Sequence, residues 1–97
     1  MATPVNLTLR EIFIDLNARM TGNGFALTNG SIADLAALGL TPAQAVGMEF
    51  VFNGGDDTVE DGDSVEILFE GIIELHDQWG YLAVANSKGI YWRAKRA

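Results

Sequence analysis

Cysteine is absent from this chain. Its absence removes disulfides, thiolate nucleophiles, cysteine zinc sites and iron–sulfur clusters together, and it suits a reducing compartment, so the cytoplasm is the expected location. Histidine occurs once, at His76. One imidazole supplies neither a metal cluster nor, without a partnered nucleophile, a triad. Nor does any uninterrupted apolar run approach the roughly 20 residues that a bilayer-spanning helix needs. Met1-Ala2-Thr3-Pro4-Val5 has neither a basic start nor an apolar stretch, so neither a signal peptide nor a membrane association is expected.

Positive charge is scarce where negative charge is dense. Residues 49–77 hold ten acids and no Lys or Arg, whereas residues 78–97 hold Lys88, Arg93, Lys95 and Arg96 and no acid. The whole chain carries −7. An acidic surface repels nucleic-acid backbones and anionic lipid, so neither is an expected partner in general. With 97 residues, of which 48% are hydrophobic, the chain has the size and composition of one folded domain spanning 1–97.

Helix signals crowd the first half. Thr8-Leu9-Arg10-Glu11 reads as a capping box, with Leu7 and Ile12 as its hydrophobic staple. Leu9, Ile12, Phe13, Leu16 and Met20 then follow at helical spacing, which predicts a helix over 9–20 ended by Thr21-Gly22-Asn23-Gly24. Phe25-Ala26-Leu27 fits a short strand or a buried loop. Ser31 caps a second predicted helix running to Leu38. Thr41-Pro42 opens a third, with Thr41 as N-cap, Pro42 at N1 and Gln44 completing a capping box.

From Phe50 onward the composition is that of strands. Val65, Ile67, Phe69, Ile73 and Leu75 alternate with Glu66, Leu68, Glu70, Ile72 and Glu74. This predicts one strand over 64–76 with the first set facing inward, and with Gly71 available for a bend. Asp77-Gln78 and Asn86-Ser87-Lys88-Gly89 read as turns that separate two further strands, 79–85 and 90–93. The expected fold is therefore α+β: two to three N-terminal helices packed on a C-terminal antiparallel sheet of about four strands, a meander whose shape also suits a partly closed SH3-like barrel.

No motif commits the chain to a reaction or a cofactor. The acidic run from Asp56 to Asp63 fails calcium-loop spacing, because placing Gly62 at the sixth position puts Val59 at the third and Leu68 at the twelfth. Asp61-Gly62-Asp63 ahead of an apolar strand is similar to a turn in ubiquitin-like sulfur carriers. That likeness covers only the turn and the strand after it, and the segment Arg93-Ala94-Lys95-Arg96-Ala97 lacks the Gly-Gly tail such carriers adenylate, so their activity is not expected. The two short helices around Leu40 offer no cation to a DNA groove. Gly22-Asn23-Gly24 follows a predicted helix where a phosphate loop would precede one.

What remains is a candidate interaction surface. Trp79, Tyr81, Tyr91, Trp92 and Arg93, placed by the meander on adjacent strands, join Leu68 and Ile72, which interrupt the outward glutamates of the long strand. Outward aliphatics and aromatics form patches that attract partners. The expected function is a small acidic non-enzymatic protein-interaction domain, accessory or inhibitory, with a protein partner and a homodimer as the leading form. Two alternatives stand beside it: a single-stranded nucleic-acid binder using the C-terminal aromatics and cations, and a small-ligand protein or enzyme whose pocket the sequence does not reveal.

Overall fold

In the computed structural model, which describes residues 9–58 and 64–94, strand accounts for 54% of those residues. The strands are β1 (Glu11–Phe13), β2 (Gly24–Ala26), β3 (Glu49–Thr58), β4 (Ser64–His76) and β5 (Gly80–Ala94). They form one sheet in the order β1-β3-β4-β5-β2, with β1 parallel to β3 and every other pair antiparallel. The sheet curls into a half-barrel. Two short helices, α1 (Asn29–Ala37) and α2 (Pro42–Ala45), lie between β2 and β3 in the chain. The expected stack of two to three helices on a four-stranded antiparallel meander is thus overturned.

The largest departure is the predicted first helix. Residues 11–13 are strand, and a single 3-10 turn at Leu16–Ala18 is the helical remnant. Ile12 and Ile14, two positions apart, are the side chains that become buried. A β-branched pair at that spacing suits a strand as well as the longer apolar set suits a helix. Burial between β3 and the helices decides for the strand. Val51 N–H donates to the Arg10 carbonyl at 2.8 Å and Ile14 N–H to the Asn53 carbonyl at 2.9 Å, so backbone groups that a helix would pair internally go to the sheet instead.

The other helices sit close to where the sequence puts them. α2 has Thr41 as N-cap, its hydroxyl accepting from Gln44 N–H at 3.2 Å while Gln44 Oε1 accepts from Thr41 N–H at 2.9 Å. α1 begins earlier than expected, with Thr28 at the N-cap and the buried Ser31 hydroxyl accepting from Thr28 N–H at 3.2 Å. Ser31 is the third helical residue reaching back, not the cap itself. Leu35 and Ala45 carry the helices' buried contribution. They meet Ile12, Ile14, Phe25, Phe50, Phe52, Phe69, Ile73 and Ala83 in one core. The Phe69 ring lies 5.4 Å from that of Phe25 and 5.1 Å from that of Phe52, centroid to centroid. Tilted rings at such distances interact favourably beyond their area.

β4 and β5 make one long hairpin rather than two. Their register runs from His76 opposite Gly80 to Val65 opposite Ala94. Asn86-Ser87-Lys88-Gly89 does turn: Asn86 Oδ1 accepts from Lys88 N–H at 2.9 Å and Gly89 has φ +76°. The turn is a bulge within β5, because the chain resumes its direction beside the same neighbour. Between the pairs Gly71–Ala85 and Phe69–Ile90, β4 spends only Glu70 while β5 spends four residues. Gly71 is what allows the close approach there. A Cβ at that position would overlap the Val84 carbonyl oxygen.

Two alternation expectations are also corrected. Phe69 and Ile73 are buried as expected, but Leu75 is 61% exposed, since the hairpin tip projects past the core. Leu68, expected outward and facing solvent or a second chain, has no exposed surface. It does lie on the opposite face from Phe69, between Asn53 and Tyr91 in register. That face therefore buries apolar groups of its own. Leu82 on β5 behaves likewise at 2% exposure, with Gly24 close beside it. The acidic run considered for calcium falls partly on the end of β3 and partly on 59–63, which lie outside the described residues, as do Lys95 and Arg96.

Candidate functional site

Strand register sorts the sheet into two faces, because residues directly opposite each other point the same way. Ile12, Phe52, Phe69 and Ile90 share the core face, and Phe13, Asn53, Leu68 and Tyr91 share the other. Glu49, Glu66, Glu70 and Glu74 project on that second face as well, which makes it acidic.

Arg93 reaches across this acidic face. Its guanidinium donates to Glu66 Oε1 through Nη2 at 2.6 Å and Nε at 2.8 Å, and through Nη2 to Glu11 Oε2 at 3.1 Å. Asn53 Nδ2 donates to Glu11 at 2.7 Å and to Glu66 at 3.3 Å. Four strands are thereby tied by side chains alone. Glu11, read in sequence as a capping residue, is an ion-pair partner instead. Burial opposes its ionisation, but hydrogen bonds from Arg93 and Asn53, with the Arg93 charge, outweigh that and hold its carboxyl below the usual range. The same bonds, to Glu11 and then Glu66, raise the basicity of Arg93. On Tyr91, burial first and the Glu70 charge second push the phenol upward.

A lowered folded-state pKa means that the Glu11 contribution is complete above its unfolded value and disappears as pH falls through the folded one. Glu11→Gln should therefore cost stability at pH 7, about 1 kcal/mol or less because the pair is partly solvated. The difference from the parent should shrink as pH falls toward about 3. Urea melts of both proteins at the two pH values measure it, and a gap that widens in acid would show that the Arg93 pair does not set the stability of Glu11.

Beside this network an open cleft of about 250 Å³ is lined by Glu11, Ile12, Phe13, Asp34, Asn53 and Glu66. Asp34 on α1 accepts from Phe13 N–H at 2.8 Å, so its carboxylate is engaged in holding β1 to the helix. Among the described residues no group of three or more His, Asp or Glu side chains is placed to share a metal ion. His76 is a structural residue of the hairpin tip, its Nδ1 accepting from Gln78 N–H at 3.0 Å and Trp79 N–H at 3.2 Å.

The residues singled out from sequence do not form one patch. Trp79 and Tyr81 lie at the tip end of β5, with Trp79 exposed in the turn and Tyr81 half-buried against the core. Tyr91, Trp92 and Arg93 lie beyond the bulge at the other end of the same strand. The stacking platform on two adjacent strands is thus replaced by two separated groups. Leu68 is sealed in and Ile72 is half-buried opposite Glu49 and Val84, so the expected Leu68–Ile72 patch is not open to a partner. Arg93 and Lys88 both sit in carboxylate pairs, the latter 3.3 Å from Glu70. A phosphate would have to displace those carboxylates to use either.

What the alternation did not reveal is the far end of the hairpin. Ile90 and Trp92 lie on the core face opposite Phe69 and Ile67, yet are 46% and 58% exposed. The helices and β2 cover the sheet near Ala83 and not here. Tyr91 between them is also exposed, on the other face. No helix is long and apolar enough to cross a membrane among the described residues. Compared with protein-family models, with curated proteins and with solved structures, the chain matches none of them.

Proposed function

We propose that this chain is a non-enzymatic protein-interaction domain acting in the cytoplasm, and that it engages its partner through the end of the hairpin around Trp92. The observation that carries this reading is the run Ile90, Tyr91, Trp92, three large side chains exposed in succession on an ordered strand. Tryptophan, tyrosine and arginine dominate the energetics of protein interfaces, the two aromatics because they bury much area for few rotatable bonds. Arg93 follows directly and is held in one orientation by Glu66 and Glu11. The glutamates on the face of Tyr91 and Arg93 engage that guanidinium, so the exposed run itself presents little net charge to a partner.

The test is affinity capture from the source cells with the parent chain and with Trp92→Lys as baits. Trp92 is largely exposed, so the variant should fold, which far-UV circular dichroism checks. A partner retained by the parent and weakened at least about tenfold by the variant supports the reading. A partner held equally by both baits, with Ile90→Lys also without effect, removes this surface from the function.

A further inference from the structure

The exposed run is also a strand edge, and edges differ in how they are closed. β1 is three residues long, and its outward Phe13 N–H is taken by Asp34 at 2.8 Å. Beyond β2, Arg19 bridges to Phe25 and Met20 N–H donates to the Gly24 carbonyl at 2.8 Å. β3 continues past β1, but its register breaks between Asn53 and Asp56. Such devices are the ordinary protection of a sheet against pairing with another chain: a short strand, a covering side chain, a bulge. β5 has none of them over Ile90–Ala94. That stretch stays in unbroken register with β4, while β2 pairs only with Leu82–Val84 and contact on that side ends where Ala85 N–H donates to the Asn23 carbonyl. Among the described residues no strand pairs with its other side.

Resting on the interaction reading above, we propose that this edge adds to the same edge of a second copy of the chain, antiparallel, around a two-fold axis at Trp92. Gly89, at φ +76°, bounds the straight run on one side. The run 90–94 has Trp92 at its midpoint, so pairing it with itself uses all five residues. Trp92 then faces Trp92 of the second copy, Tyr91 faces Arg93, and Ile90 faces Ala94. Each exposed aromatic gains a neighbour: a tryptophan pair on the core face, and a tyrosine beside a guanidinium on the other. No two like charges are opposed. Although each chain carries −7, the only charged side chain in the run is Arg93, already paired with Glu66 and Glu11, so the joint itself is close to neutral. A foreign strand could add here too. The second copy is favoured because the run complements itself about its own centre, and isologous two-fold contact is the commonest form of association.

Light scattering coupled to size exclusion at tens of micromolar should give a dimer mass for the parent and a monomer mass for Trp92→Lys and for Ile90→Lys. Because the chain has no cysteine, Trp92→Cys introduces a single thiol on the axis. It should form a disulfide-linked dimer under mild oxidation, and Ala37→Cys, exposed on α1, should not. A monomeric parent overturns the proposal. So does a dimer that survives both lysine variants, or one in which the two cysteine variants cross-link alike. A monomeric parent that still captures a Trp92-dependent partner refutes the second copy alone and leaves the interaction reading standing.

Discussion

Gly71→Ala should destabilise the protein by about 3 kcal/mol or more, a large share of the 5–15 kcal/mol typical of a folded domain. The added methyl would overlap the Val84 carbonyl oxygen and lie 2.8 Å from its carbon and 3.1 Å from the Ala85 Cα. All three are backbone atoms, and moving them means opening the β4–β5 ladder beside the bulge. The cause is contact rather than backbone conformation, since Gly71 does not have a positive φ. Gly22→Ala provides the comparison: nothing lies within 4 Å of its Cβ position and its φ is unremarkable, so its effect should stay within about 0.5 kcal/mol. Urea denaturation of the three proteins reads the difference. If Gly71→Ala unfolds at the parent's midpoint, β5 does not press against β4 at this point and the bulge is placed wrongly.

The second large effect is expected on the face that alternation assigns to solvent. Leu68→Ala should cost about 2–5 kcal/mol, the range for a fully buried leucine whose surroundings relax only partly. Phe69→Ala, the next residue and the centre of the aromatic core, should cost a similar 3–5 kcal/mol. Two adjacent strand positions point to opposite faces, so comparable losses at both mean that both faces are packed. Ile72→Ala, on the face of Leu68 but half-buried, should lose less. A Leu68→Ala protein as stable as the parent would return that face to solvent.

Several elements were legible from local chemistry because local chemistry alone builds them. Thr41, Pro42 and Gln44 lie within one turn and satisfy each other whatever surrounds them. β4 was readable over its whole length, since thirteen residues of alternating character have no helical alternative. Asn86 and Gly89 likewise announce a change of direction. What they leave open is whether the chain reverses or merely swells out, because an Asn-capped turn with a left-handed glycine serves either. Gly71 on the neighbouring strand settles that, by letting β5 close in again after the bulge.

The candidate site was legible in composition and not in place. Tyr91, Trp92 and Arg93 stand out in any reading of the C-terminal segment, whereas their separation from Trp79 and Tyr81 follows from β5 being one continuous strand. Ile90 has the ordinary look of a core residue. It is exposed because the helices and β2 stop short of it, a matter of how far other elements extend. Glu11 shows the same limit from the other side: three residues after Thr8 it fits a capping box, and only the parallel pairing of β1 with β3 brings it to Arg93.

The amino-acid sequence thus determined which short segments turn, where α2 starts, that residues 64–76 are a strand, and that charge is segregated along the chain. These depend on neighbours within a few residues, where propensity and hydrogen-bonding reach are decisive. The tertiary structure decided that residues 11–13 join the sheet instead of a helix, that Leu68 is sealed while Leu75 and Trp92 are not, and that the edge at 90–94 is left open. Each of those outcomes turns on burial against distant strands. Burial free energy accumulates over many contacts and exceeds the fractions of a kcal/mol by which helix and strand propensities differ.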